Sequence, residues 1–171
     1  MPRIQCRLGD IFEAKRGEQY RYFQFVALDQ TQLNSDVIAV FEGSWSTPQL
    51  PEFIIGNPVA FFVHTMVRFG VPSYWQKVGK APLADHSKAL FKDAEIEGHH
   101  DGPMPQQPFE GPSNHWSIWH INEASHYVGN YKNVPQEAEL GLVFQPKDVY
   151  NRIFDGDYHT EGAVSYYGVY R

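Results

Sequence analysis

The stretch His115 to Gly129, "HWSIWHINEASHYVG", holds three histidines, one glutamate and two tryptophans within fifteen residues. Imidazole and carboxylate are the donors that zinc and iron sites use, and His120, Glu123 and His126 follow the pattern H-x-x-E-x-x-H. On an α-helix six residues would separate the two imidazoles by roughly 9 Å along the axis, too far for both to reach one ion at about 2 Å. A β-hairpin suits the residues better, with "WSIWHI" and "HYVG" as strands around "NEAS". With that four-residue loop Ile121 faces His126 and His120 turns to the opposite face, whereas a three-residue loop would return both histidines to one face. The stretch is expected to be structural, and a metal-dependent enzyme using His120, Glu123 and His126 is the competing reading.

Other residues with chemical potential form no recognised constellation. His99, His100 and Asp101 lie between Gly98 and Gly102, in a loop composition that offers little packing to hold ligands rigid. His64 and His86 each stand alone in the sequence and read as satisfied or solvated. Ser44 and Ser46 in "EGSWST" make no G-x-S-x-G elbow, and neither a phosphate loop nor a G-x-G-x-x-G is present. Asp155 and Asp157 follow a helix and read as exposed residues at its end. No catalytic residue, metal ligand or cofactor site is assigned.

The elements that must position these residues are mostly strands. "DIFEA", "QYRYFQFVAL" and "DVIAVFEG" alternate in the strand period, and both faces of the second carry apolar groups, so it is expected to be central and covered. "STPQLPEFIIGNP" suggests a short helix near residues 47–55, with Ser46 or Thr47 as N-cap, Pro48 at its first position and Pro51 limiting its length. "VAFFVHTMVRFG" and "SYWQKVGK" read as further strands, and so does "GAVSYYGVYR" at the end. Four prolines and three glycines between Glu97 and Ser113 mark a surface excursion over about 97–113. "FQPKDVYNRIFDGDY" carries the clearest helix signal, near 146–154, with Pro146 at its start, Asp148 in the first turn and Gly156 after its end. The expected fold is therefore α+β, a mainly antiparallel, β-rich single domain over residues 1–171.

Composition narrows the function classes. Fourteen Lys and Arg against twenty Asp and Glu give a net charge of -6, without the basic patch that a direct nucleic-acid reader needs. The longest apolar run, "VAFFV", falls far short of the roughly 20 residues of a membrane-spanning helix. Cys6 is the single cysteine, so an intramolecular disulfide and a thiolate-rich zinc site are both excluded. A reducing, cytoplasmic location is expected. Ten Tyr, twelve Phe and four Trp supply the core, and most of Trp45, Trp75, Trp116 and Trp119 are expected inside it.

Several stretches, in order, resemble the immunity protein 26 family of bacterial toxin systems. "RLGDIFEAKRGEQYRYFQFVAL" is similar to that family's opening strands, and "SYWQKVGKAPL" to its Trp-x-x-Val/Ile-Gly-x-x-Pro-Leu motif. "LFK", "HWSIWHINEASHYVG" and "GLVFQPKDVYNRIFDG" resemble the elements that follow, and together the matches cover roughly residues 7–160. Phe23 departs from the pattern, standing where the family often has a small residue, and the stretch from Gly102 to Pro112 enlarges a loop. The resemblance implies a non-enzymatic cytoplasmic protein that protects its producer by binding a cognate bacterial toxin; it brings no catalytic residues and no cofactor.

For such a partner the contact surface is expected to be acidic. Glu95, Glu97, Asp101 and Glu110 gather around the proline-rich excursion, and Asp155, Asp157 and Glu161 follow the last helix. Toxins that act on nucleic acid are commonly basic, and acids placed here would steer them in. A third class, a small-ligand-binding domain, would require an enclosed aromatic-lined pocket. The sequence leaves the oligomeric state open.

Overall fold

A computed structural model of the chain describes residues 5–94 and 114–158. Within them an α+β architecture forms from two sheets of mainly antiparallel strands, one short helix and one C-terminal helix. Strands β1 (Asp10–Arg16), β2 (Gln19–Asp29) and β3 (Ser35–Phe41) build the centre of a six-stranded sheet. It is completed by β4 (Val59–Thr65), β5 (Trp75–Lys80) and the two-residue β10 (Val143–Phe144), in the order β10-β4-β3-β2-β1-β5. Strands β6 (Leu90–Ala94), β7 (Trp116–His120), β8 (His126–Gly129) and β9 (Glu139–Leu140) make a second sheet, ordered β8-β7-β6-β9. Each sheet contains one parallel pair, β10 with β4 and β9 with β6, and both pairs use two-residue strands too short to show a period in the sequence.

β2 is central and covered on both faces, as its alternation requires. One face places Phe23 and Phe25 with Phe12, Ile38, Val40 and Val63. Phe23, at the position where the resemblance calls for a small residue, stacks on Phe12 at 5.2 Å between centroids and meets the edge of Trp75 at 5.1 Å. The C-terminal helix α2 (Pro146–Asp155) closes this face with Val149 and Ile153. Its boundaries follow the sequence signals: Pro146 occupies the first turn, and Gly156 ends the helix at φ 77 while its amide bonds back to the Arg152 carbonyl. Arg152 sits over the Phe61 ring at 3.8 Å and pairs with Glu139 at 2.7 Å, fastening α2 to β4 and β9.

The opposite face is divided. At one end Ile11, Tyr22 and Phe41 cover Ile54 from α1 (Pro51–Ile54); at the other, Val37, Ala39 and Val26 meet Phe91 and Trp119 of the second sheet. The short helix begins at Pro51, not near Thr47. Pro51 takes the first helical position and Leu50 precedes it in extended geometry, with no side-chain cap. The segment read as one strand from Val59 to Gly70 also divides, because β4 ends at Thr65 and a 3-10 turn follows over Val67–Gly70. Trp75, Trp116 and Trp119 are buried and Trp45 is half-buried. The expected excursion at 97–113 and the final strand "GAVSYYGVYR" fall outside the described residues.

Truncating Phe23→Ala removes a ring that touches both Phe12 and Trp75. The expected loss is about 3–5 kcal/mol of unfolding free energy, read from urea denaturation, and it should exceed that of the half-buried Phe62→Ala.

Candidate functional site

The hairpin of the opening motif pairs differently from its sequence reading. Ile118, not Ile121, lies opposite His126, so the loop runs from Trp119 to Ser125 and carries the last two residues of β7 with it. The cause is the other neighbour of β7: Phe91 and Leu90 of β6 pair with Trp119 and His120 and hold them in the sheet beyond the point where β8 leaves. This register places His120 and His126 on one face, contrary to the four-residue-loop reading. His120 Nδ1 lies 2.7 Å from the Ala89 carbonyl, and the Glu123 amide donates to the His120 carbonyl. Among the described residues no three His, Cys, Asp or Glu side chains come close enough together to hold a metal ion.

What the turn does is dock. Asn122, at φ 61, accepts from the Gln30 amide at 2.8 Å and donates to the Leu28 carbonyl at 3.0 Å. Gln32 donates to the Glu123 carbonyl at 3.0 Å. The polar residues of "HINEAS" thus fasten the second sheet to the β2–β3 turn.

Behind that contact lies a constellation the sequence did not reveal. Asp29 pairs with Ser35 across β2 and β3, and His64 of β4 lies opposite Val37, next along the same face. Ser35 Oγ is 2.9 Å from His64 Nδ1, and His64 Nε2 is 3.6 Å from Asp29 Oδ2. These are the three residue types of a hydrolase triad, yet all are buried, and Phe91 covers the imidazole with its ring 4.2 Å away. A hydroxyl nucleophile needs an approach for its substrate, and among the described residues Ser35 is buried at 2% exposure. The Asp29 carboxylate accepts from the amides of Thr31, Gln32 and Asn122 and from the Trp119 indole N–H. The cluster is a joint. Its members lie 29 and 35 residues along with the third at 64, a spacing that only the sheet register brings together.

A second buried network lies toward α1. Tyr22 donates to Glu13 at 2.7 Å and accepts from the Gln49 amide at 2.8 Å, while Gln76 donates to the other oxygen of Glu13 at 2.9 Å. Burial foremost, with the Glu13 hydrogen bond, pushes the Tyr22 hydroxyl above the usual phenol range, so it remains a donor. Gln24 donates to the carbonyls of Gly9, Ala81 and Pro82 and accepts from the Ala84 amide, holding the "APLA" segment against the sheet.

Of the acids expected to meet a partner, Glu95, Glu97, Asp101, Glu110 and Glu161 lie outside the described residues, as do His99 and His100. Asp155 is exposed and bonds to Arg16 at 2.5 Å, whereas Asp157 is half-buried, not exposed. The most exposed large apolar side chains include Phe53 and Leu50 on and before α1, at 65% and 57%. They stand on a firm base. Ile54 is buried, Pro51 fits against Gly79, where a Cβ would come within 2.5 Å of its ring, and Asn57 donates to the carbonyls of Phe53 and Ile54. No helix among the described residues is long and apolar enough to cross a membrane.

Compared with known proteins, the chain matches no family model, no curated protein and no solved structure. The residues of "SYWQKVGKAPL" do structural work here: Trp75 fills the core, Gly79 admits Pro51, and the Ala81 and Pro82 carbonyls accept from Gln24.

Burial lowers the His64 imidazole from its usual 6.5 to about 4, against the weaker upward pull of Asp29. Between those values the unfolded chain takes up a proton that the folded chain refuses. The stabilisation is therefore complete above about pH 6.5 and declines as pH falls toward 4, with a limiting slope of about 1.4 kcal/mol per pH unit. Urea midpoints measured across that range should fall, and a His64→Gln variant should show a flatter dependence. The His64 ring resonances of the native protein should not titrate near neutral pH.

Proposed function

We propose that this chain is a bacterial immunity protein that neutralises a cognate toxin by direct protein–protein contact in the cytoplasm, without chemistry of its own. One observation carries the reading: α1 presents Phe53 and Leu50 to solvent from a backbone fixed by Pro51, Ile54 and Asn57. Apolar anchors held in place before binding lose little freedom on association, which is the property of an interface hot spot. The residue types suited to catalysis support the same reading, since Asp29, Ser35 and His64 are enclosed and bonded to one another or to backbone. The net charge of -6 would draw in a basic toxin, and the order of the immunity-like motifs points to the same class of partner.

The direct experiment pairs this chain with the toxin encoded beside its gene. Co-expression should rescue growth, and Phe53→Asp should abolish rescue while leaving the near-ultraviolet circular dichroism unchanged, because the side chain is exposed. Phe53→Ala should weaken the complex by about 2 kcal/mol or more, roughly thirtyfold in Kd. Full rescue by Phe53→Asp would remove α1 from the interface, and failure of the native chain to bind or rescue would remove the immunity reading itself.

The acids generate a separate expectation. Association should slow as salt rises, and neutralising Asp157 and Glu161 should slow it further at low salt. Neutralising Asp155 as well should act in the same direction, although Asp155→Asn also disturbs the Arg16 pair that joins α2 to β1. A rate indifferent to salt and to these substitutions would take the acids out of the encounter.

A further inference from the structure

On the side of the six-stranded sheet where β3 begins and β4 ends, a cleft of about 450 Å³ opens between the segment Gln5–Arg7 and the turn Met66–Phe69. Its volume lies within the usual range for small-molecule sites, roughly 300–1,000 Å³. Phe25 contributes a buried aromatic surface, and Met66 and Phe69 add apolar groups that are 40% and 65% exposed. Such large apolar groups are not required on a surface turn, and a thioether beside a phenyl ring suits a flat, polarisable occupant.

The charges of the cleft run against those of the whole chain. Arg7 and Arg68 both line it, opposed by the single carboxylate of Asp36. Asp36 is already engaged, since one of its oxygens accepts from the Val67 amide at 2.9 Å. Arg7 bonds to the neutral Gln5 side chain at 2.6 Å. The Arg68 carbonyl accepts from the Val71 amide, but its guanidinium makes no hydrogen bond or ion pair among the described residues, which leaves its planar fork of donors available. A protein of net charge -6 thus keeps a locally positive cleft. Cys6 also lines the cleft, and burial raises its thiol pKa, so at neutral pH it presents a neutral, soft surface.

The geometry points to a binding site for a small planar aromatic carboxylate, its ring seated against Phe25, Met66 and Phe69 and its carboxylate paired with Arg68, with Arg7 in support. The site is separate from α1, and its test requires no toxin.

The probe is 2-naphthoate, titrated into the full chain, with the alkylation rate of Cys6 by iodoacetamide as the measure of occupancy. The chain has one cysteine, so the label reports this cleft alone. Millimolar 2-naphthoate should slow alkylation several-fold and shift the backbone amide resonances of Cys6, Arg7 and Phe69. Arg68→Ala, an exposed change that leaves the core intact, should weaken the probe about tenfold, as should replacing it with uncharged 2-naphthylmethanol. Phe69→Ala should weaken both compounds alike. The assignment is overturned if alkylation is unchanged at millimolar naphthoate, if the alcohol binds as well as the acid, or if Arg68→Ala leaves the titration unaltered.

Discussion

Two sheets of different strand order stay in register because one buried carboxylate is shared between them. Asp29 ends β2, yet its oxygens accept hydrogen bonds from its own turn at Thr31 and Gln32 and from Asn122 and Trp119 of the second sheet. A charge removed from water is tolerated only when its lone pairs are satisfied, and here donors from both sheets are needed to satisfy them. His64 lies beyond, 3.6 Å away, with Ser35 at its other nitrogen. A buried imidazole costs least when neutral, and the Ser35 hydroxyl and the Phe91 ring provide the surroundings of a neutral ring. The apolar contact of Phe91 and Trp119 with Val37 and Ala39 supplies the area of the junction, and the polar joint supplies its alignment.

This arrangement turns residue types associated with catalysis inward. The Glu13 and Tyr22 network does for the α1 end of the sheet what Asp29 does for the other end: it fixes the Gln49 backbone, just before the helix, to β1 and β2. Gly79 then lets Pro51 approach β5 closely enough for Ile54 to enter the core and Phe53 to point away from it. In the proposed interface, strength would come from this preorganisation, and buried polar groups far from the contact would influence binding through the position of α1.

Much of the framework was legible in the sequence, and the reasons can be given element by element. β1, β2 and β3 announce themselves by alternation, and α2 by Pro146, Asp148 and Gly156, because those signals are local. The start of α1 was misplaced because two prolines compete for the first helical position and the structure uses the second, Pro51. β9 and β10 are parallel two-residue pairings set by long-range packing, which leaves no periodic trace. The hairpin register failed for the same reason, since β6 and not the turn decides where β7 ends. The Asp29, Ser35 and His64 joint was invisible because its members meet only through strand pairing, while in the conspicuous stretch of His120, Glu123 and His126 it is the turn between the two histidines, through Asn122 and the Glu123 carbonyl, that docks onto the first sheet.

The central claim is that the Asp29 carboxylate couples the two sheets into one cooperative unit. Amide hydrogen exchange on Asp29→Asn, followed residue by residue, tests it most directly, because one carboxylate oxygen is replaced by an amide donor with little change in volume. The account predicts that protection falls together in β6 and β7 and in the adjoining ends of β3 and β4, while the remote pairing of β1 with β5 loses less. If β6 and β7 keep their native protection in the variant, the sheets are held by apolar contact alone and the carboxylate is not the joint.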